Sequence, residues 1–240
     1  MNTDNMQIHR DFLKSILSNT VVNKEEMIKI LNSSDLPKYE PRHLGHESPV
    51  SNAGKVLYAL GRSACIKTAL VCFAGPPGPN GLFCLSKGFD NKNGTVWAIE
   101  GRRRYAVLNW LFLFVHGLTK NVIVKFKRID VQKDHAWFDH NINIPTIDLF
   151  AVDIDDMGSE SLYSFIIEKY KPKLIFVENS GYKSNIRASD SLDYMYEDKV
   201  LHASSNSGTG PYRLLIDRYD SNLKVHGRKF SLYIREEFLK

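Results

Sequence analysis

From residue 54 onward the chain alternates between short apolar runs and longer stretches with helical spacing of apolar residues. The runs are TALVCFAG (68–75), GTVWAIEG (94–101), NVIVKFKRI (121–129), IDLFAVDID (147–155) and PKLIFVEN (172–179). The first is a continuous apolar run ending in glycine, as a strand buried on both faces is. Helical segments fall at KVLYALGR, after PGPNG, at 102–117 and at 159–170. Strands alternating with such helices predict βαβ units: an α/β fold with a mostly parallel twisted sheet and helices on both faces. Beyond Asn185 the pattern predicts a short helix (189–197) and a strand near KVLHAS. Two last runs, YRLLIDRY and KFSLYIRE, are joined by a short polar segment and predict a terminal antiparallel strand pair.

The N-terminal part reads differently. Residues 6–18 and 23–32 predict two short helices, the second opened by an Asn23 cap with Glu26 three positions on. Residues 33–54 hold three prolines and two glycines and mark a boundary. The expected organisation is a helical extension and Pro-rich connector over 1–50, acting as a lid or a homodimer contact, followed by a sheet domain over 51–240.

Composition narrows the class. The 240 residues are 43% hydrophobic and 25% charged, enough for one full core with a small appendage. A net charge of +5 is modest, and Arg102-Arg103-Arg104 is the tightest basic run, which reads as a solvated first helical turn ahead of an RNA contact. Cys65, Cys72 and Cys84 lack C-x-x-C spacing and predict reduced, buried thiols. The N-terminus lacks the apolar core of a signal peptide. The apolar stretch Tyr105–Leu118, broken by Asn109 and His116, is shorter than the roughly 20 residues a bilayer span needs and predicts a core helix. A cytoplasmic protein without membrane insertion is expected.

In a parallel sheet, ligands bind outside the carboxyl ends of the strands. Those ends are Gly75, Glu100, Asp153 and Glu178-Asn179. In AGPPGPNG, Gly75, Gly78 and Gly81 leave the backbone bare where a helix begins, which suits close approach of a cofactor, although the spacing is not G-x-G-x-x-G. Glu100 can accept both hydroxyls of a ribose; the alternative is an exposed acid paired with Arg102 or Arg103. The two features together predict a nucleoside-containing cofactor, either a nicotinamide dinucleotide or S-adenosylmethionine. The second carries no phosphate and tolerates a looser glycine-and-proline loop.

From about Ser51 to Glu236 the chain resembles the class I S-adenosylmethionine-dependent methyltransferases, a Rossmann-like fold. AGPPGPNG is similar to their glycine-rich first motif and WAIE to their acidic second motif. IDLFAVDIDDMGSESLYSFIIEKYKPKLIFVEN resembles the FkbM-like branch, and SPVSNAGKVLYALGR resembles the segment before the first motif in catechol O-methyltransferase-like enzymes. The chain departs from the pattern at Cys72, where the family carries an acid, and at Pro76, which replaces a glycine. No lysine follows Asp155, where the catechol-type enzymes carry a catalytic one.

The resemblance implies O-methylation of a small molecule or sugar, with S-adenosylmethionine held by Gly75, Gly78, Gly81 and Glu100. Asp153, Glu178 and Asn179 match the positions that hold a divalent metal in catechol-type enzymes, which implies Mg2+ or another hard cation. The alternative is Asp153 facing the cofactor without metal, with Asp155 and Asp156 capping helix 159–170. Asp153, Glu178 and Lys183 are the candidate catalytic residues, with Tyr182, His43 and His46 as other candidates for a base. His135, with His140 on an expected loop over 133–141, is the candidate adenine-side residue. Three rival functions are an RNA (cap-type ribose) methyltransferase, an NAD-dependent oxidoreductase and a catalytically inactive binding protein.

Overall fold

The apolar runs pair in a seven-stranded sheet in a computed structural model. The structure describes residues 52–63, 65–72, 75, 81–90, 93–128, 135–153, 160–179, 212–220 and 228–238. The helices expected at 6–18, 23–32 and 189–197, and the strand near KVLHAS, lie outside them. The elements run α1 (Asn52–Arg62), β1 (Thr68–Cys72), α2 (Gly81–Gly88), β2 (Thr95–Glu100), α3 (Arg103–Val115) and β3 (Val122–Phe126). They continue with α4 (His135–Asn141), β4 (Leu149–Asp153), α5 (Glu160–Tyr170), β5 (Leu174–Asn179), β6 (Tyr212–Asp220) and β7 (Arg228–Arg235).

The sheet order is β3-β2-β1-β4-β5-β7-β6. The first five strands are parallel, while β7 is antiparallel to both β5 and β6. The terminal antiparallel pair is therefore present, and its second strand is inserted between β5 and the first. The chain winds outward from β1 to β3, then returns to the other side of β1 with β4. That reversal is a topological switch point at the carboxyl ends of β1 and β4, the place where sheets of this kind have their ligand crevice.

Alternation of side chains along each strand divides the core into two layers. Ala69, Val71, Val96, Ala98, Leu149 and Ala151 face the α1, α2 and α3 side, with Leu57, Leu82, Leu85 and Leu113. Leu70, Cys72, Ile99, Phe150, Val152 and Ile175 face the other, with Phe138, Ile142, Ile166 and Ile167 of the α4 and α5 side. Continuous apolar runs are thus what a sheet covered on both faces requires.

Two features fix the scaffold below the crevice. Gly61 of α1 lies against Gly88 of α2: a Cβ at Gly88 would stand 2.5 Å from Tyr58 O and 2.9 Å from Gly61 Cα. The two helix backbones touch because neither glycine has a side chain. At the opposite end of the sheet from the crevice, Asp148 is buried just before β4. Its Oδ2 accepts from the N–H groups of Lys67 (2.7 Å) and Thr68 (3.0 Å), and its Oδ1 lies 2.8 Å from Lys173 Nζ. Burial alone would push this carboxyl up, but Lys173 and the two N–H donors outweigh it and hold Asp148 below the ordinary aspartate value.

Two expectations change. The segment expected as a loop over 133–141 contains the helix α4, because Phe138 anchors it in the sheet-facing core with Ile142 beside it. The expected core helix over 105–118 is buried on one stripe only, Ala106, Asn109 and Leu113. Among the described residues, no helix is long and apolar enough to cross a membrane.

Candidate functional site

The crevice is built from the ends of β1, β2, β4 and β5. Past the end of β1, Gly75 has φ of +70°, the left-handed region that a side chain makes costly. Two buried side chains hold it there. Its N–H donates to Glu100 Oε2 at 2.9 Å, and its carbonyl accepts from Asn109 Nδ2 at 2.8 Å.

Glu100 is the last residue of β2 and only 4% exposed. Its second oxygen, Oε1, accepts from the Arg102 N–H at 2.9 Å, just before α3. The acid is therefore buried, and its bond to Arg102 is to the backbone rather than an exposed ion pair. Burial pushes its carboxyl above the ordinary glutamate value, opposed by the Arg102 and Gly75 N–H donors and the Arg102 charge. One carboxylate so ties the glycine turn after β1 to the start of α3. Each carboxylate oxygen can accept about two hydrogen bonds, so capacity remains for a ligand hydroxyl.

Across the switch point, Asp153 and Glu178 are register partners on the parallel strands β4 and β5, and Asn179 pairs with Lys229 of β7. Neighbouring strands lie about 4.8 Å apart, so the two acids occupy adjacent strand ends. The side chains of Asp153, Glu178 and Asn179 lie outside the described residues, as do Gly78, Lys183, Tyr182, His43, His46, Asp155 and Asp156. Among the described residues, no group of three His, Cys, Asp or Glu side chains is arranged to hold a metal. Gly81 opens α2 at the far end of the glycine segment. His135 opens α4, whose Trp137 ring lies 5.7 Å from Lys127 Nζ.

Cys72, at the position where an acid was expected by resemblance, ends β1 fully buried among Ile99, Phe150 and Val152. Burial pushes its thiol far above the ordinary cysteine value. Asn109 is the site residue that the sequence pattern does not single out. A lone polar residue inside an apolar helix was its only signal.

No protein-family model matches the sequence, and no curated protein sequence is significantly similar to it. Solved structures do match the fold. An O-methyltransferase from Bacillus cereus in complex with SAH superposes with a TM-score of 0.57 at 13% identity, over 88% of this chain and 90% of that one. The O-methyltransferase TomG from Streptomyces achromogenes, in complex with SAM, gives 0.53 at 14% identity, over 88% and 86%. Cofactor-bound Rv0187 from MTB gives 0.55 at 18% identity, over 80% and 83%. At such identities the likeness is one of architecture, and the chain has the class I S-adenosylmethionine-dependent methyltransferase fold.

Proposed function

We propose that the protein is an S-adenosylmethionine-dependent methyltransferase acting on an oxygen of a small molecule or sugar. The observation that carries this assignment is the buried Glu100 carboxylate at the end of β2, bonded to the left-handed Gly75 turn. That pairing puts hydroxyl-accepting oxygens beside bare backbone, which suits the ribose and methionine parts of the cofactor. When bound, the cofactor supplies an electrophilic methyl group on a sulfonium.

Glu100 orients the ribose, and Gly75, Gly78 and Gly81 leave room for the methionine end. His135, at the start of α4, lies on the adenine side. Asp153 and Glu178, register partners at neighbouring strand ends, orient the acceptor hydroxyl. Lys183 is the proposed base. Catalysis on this assignment comes mainly from holding acceptor and methyl in line.

Asp153, Glu178 and Asn179 supply hard oxygen donors at two adjacent strand ends, a donor set suited to Mg2+. Such an ion would lower the acceptor hydroxyl's pKa. Residues 1–50 are proposed as a lid or homodimer contact, and the cytoplasm as the place of action.

Calorimetry with S-adenosylhomocysteine, with and without magnesium, tests the assignment. Binding is expected, and no heat in either condition would overturn it. Turnover insensitive to chelator would remove the metal alone, and unchanged activity in Glu178→Ala would also remove Glu178 from acceptor positioning.

A further inference from the structure

Helix α3 is apolar almost all round, yet one side of it meets no core among the described residues. Val107 (52% exposed), Trp110 (44%), Leu111 (44%), Phe114 (59%) and Val115 (77%) face outward. Arg103 and Arg104 are exposed as well. At 3.6 residues per turn these seven share an arc of roughly 140°, opposite the buried stripe. Trp110 and Phe114 stack with centroids 5.3 Å apart and planes 13° off parallel, forming a flat aromatic plate. Phe126, exposed at the end of edge strand β3, has the strand parity of Val122 and Val124 and so lies on the α3 side of the sheet. Surfaces of free-standing proteins rarely leave so many large apolar side chains together.

Charge on the same edge is one-signed. From Gly101 to Ile129, the segment that forms α3 and β3, there is no Asp or Glu, and five cations accompany the α3 face: Arg102, Arg103, Arg104, Lys120 and Arg128. Lys125 and Lys127 have the opposite strand parity to Phe126, and Lys127 lies over Trp137 on the α4 side. Without those five the chain would hold 27 basic against 27 acidic residues. The whole positive excess therefore belongs to this edge.

We propose that the α3 edge docks on an anionic lipid membrane surface, with Trp110, Leu111, Phe114 and Val115 entering the headgroup–acyl boundary and the surrounding cations meeting the headgroups. Aromatic and aliphatic residues with basic neighbours on one helix face are the combination that an interfacial helix needs. A second copy of the chain would set one cationic edge against another. An RNA strand would meet the charges but leave the aliphatic Val107, Leu111 and Val115 against sugar and phosphate. Lipid with anionic headgroups complements both halves of the surface. Because α3 begins at Arg103, three residues after Glu100, the docked edge adjoins the crevice.

The test is co-sedimentation of the full chain with phosphatidylcholine vesicles and with vesicles that also contain phosphatidylserine. Binding to the second only, weakened by salt, is expected. Replacing both arginines, Arg103→Gln with Arg104→Gln, should lower partitioning roughly thirtyfold. Trp110→Glu should abolish it, and so should Val115→Glu, which lies at the most exposed position and leaves the core untouched; thermal melts verify that each variant is folded. No binding to anionic vesicles overturns the proposal, as does binding that survives both glutamate substitutions. It is equally overturned if vesicles are ignored while the chain forms a dimer that Trp110→Glu dissociates, or while it binds a single-stranded RNA oligonucleotide.

Discussion

Replacing Asn109 with alanine removes one of the two side-chain tethers on Gly75. Its Nδ2 donates to the Gly75 carbonyl at 2.8 Å from a buried position in α3. A neutral hydrogen bond of this kind is worth about 1 kcal/mol net, and leaving the carbonyl without that donor raises the cost toward about 3 kcal/mol. For a chain of 240 residues each kcal/mol moves the midpoint by about 2–4 °C, so the midpoint should fall by roughly 2–12 °C. The Glu100 tether remains at 2.9 Å, so the left-handed turn is loosened rather than lost. S-adenosylhomocysteine affinity should fall by roughly tenfold or less, since tenfold corresponds to about 1.4 kcal/mol. Asn109→Asp should do worse, because it aims an acceptor at a carbonyl near a second buried carboxylate. Scanning calorimetry and ligand titration below both midpoints provide the assays. A midpoint and an affinity both unchanged in Asn109→Ala would refute the tether.

Three further perturbations follow from named contacts. Glu100→Gln offers one acceptor oxygen to two N–H donors, so ligand affinity should drop 10- to 100-fold, the worth of a charge-assisted bond of about 1.5–3 kcal/mol. Its folded-state pKa is raised, so the native acid's stability contribution is full below the ordinary glutamate value and is lost as pH rises through the raised one. A wild-type-minus-variant stability difference that stays flat from about pH 4 to 8 would contradict this. Asp148→Ala strips the acceptor from the Lys67 and Thr68 N–H groups and should cost about 3 kcal/mol in urea unfolding at neutral pH. The Asp148 pKa is lowered, so its contribution is present above about pH 3.9 and fades as pH falls through the depressed value. A gap that persists in stronger acid would count against the pairing. Gly88→Ala drives a methyl group against the Tyr58 carbonyl and should cost about 3 kcal/mol in thermal melts, with an unchanged midpoint as the refuting result.

β1, β2, β4 and β5 were legible because parallel strands buried on both faces have no polar face to break the run. Gly75, Glu100, Asp153 and Glu178 could be placed for the same reason, each falling where an apolar run stops. What the pattern could not show was pairing at long range. YRLLIDRY and KFSLYIRE are of similar apolarity, and in the sheet it is β7 that pairs with β5, with Leu232 and Ile234 on one face and Tyr233 on the other. Asn109 and Asp148 escaped for a related reason. Asn109 is one polar residue in an apolar helix and Asp148 one just ahead of an apolar strand, and their backbone partners lie 34 and 80–81 positions away. The outer face of α3 misled because apolarity all round a helix signals burial on average, whereas here only one stripe meets the sheet.

The buried sulfur at the end of β1 gives the crevice a clock. Cys72 has no exposure and a thiol whose ionisation burial opposes, so its alkylation must wait for the strand end to open. The rate at which a thiol reagent consumes Cys72 is then a readout of how often the crevice floor comes apart. A ligand seated above the glycine turn would lengthen that interval by mass action, without needing to be turned over. Cys65, half-buried ahead of β1, and Cys84, buried in α2, provide timings from two other parts of the same molecule.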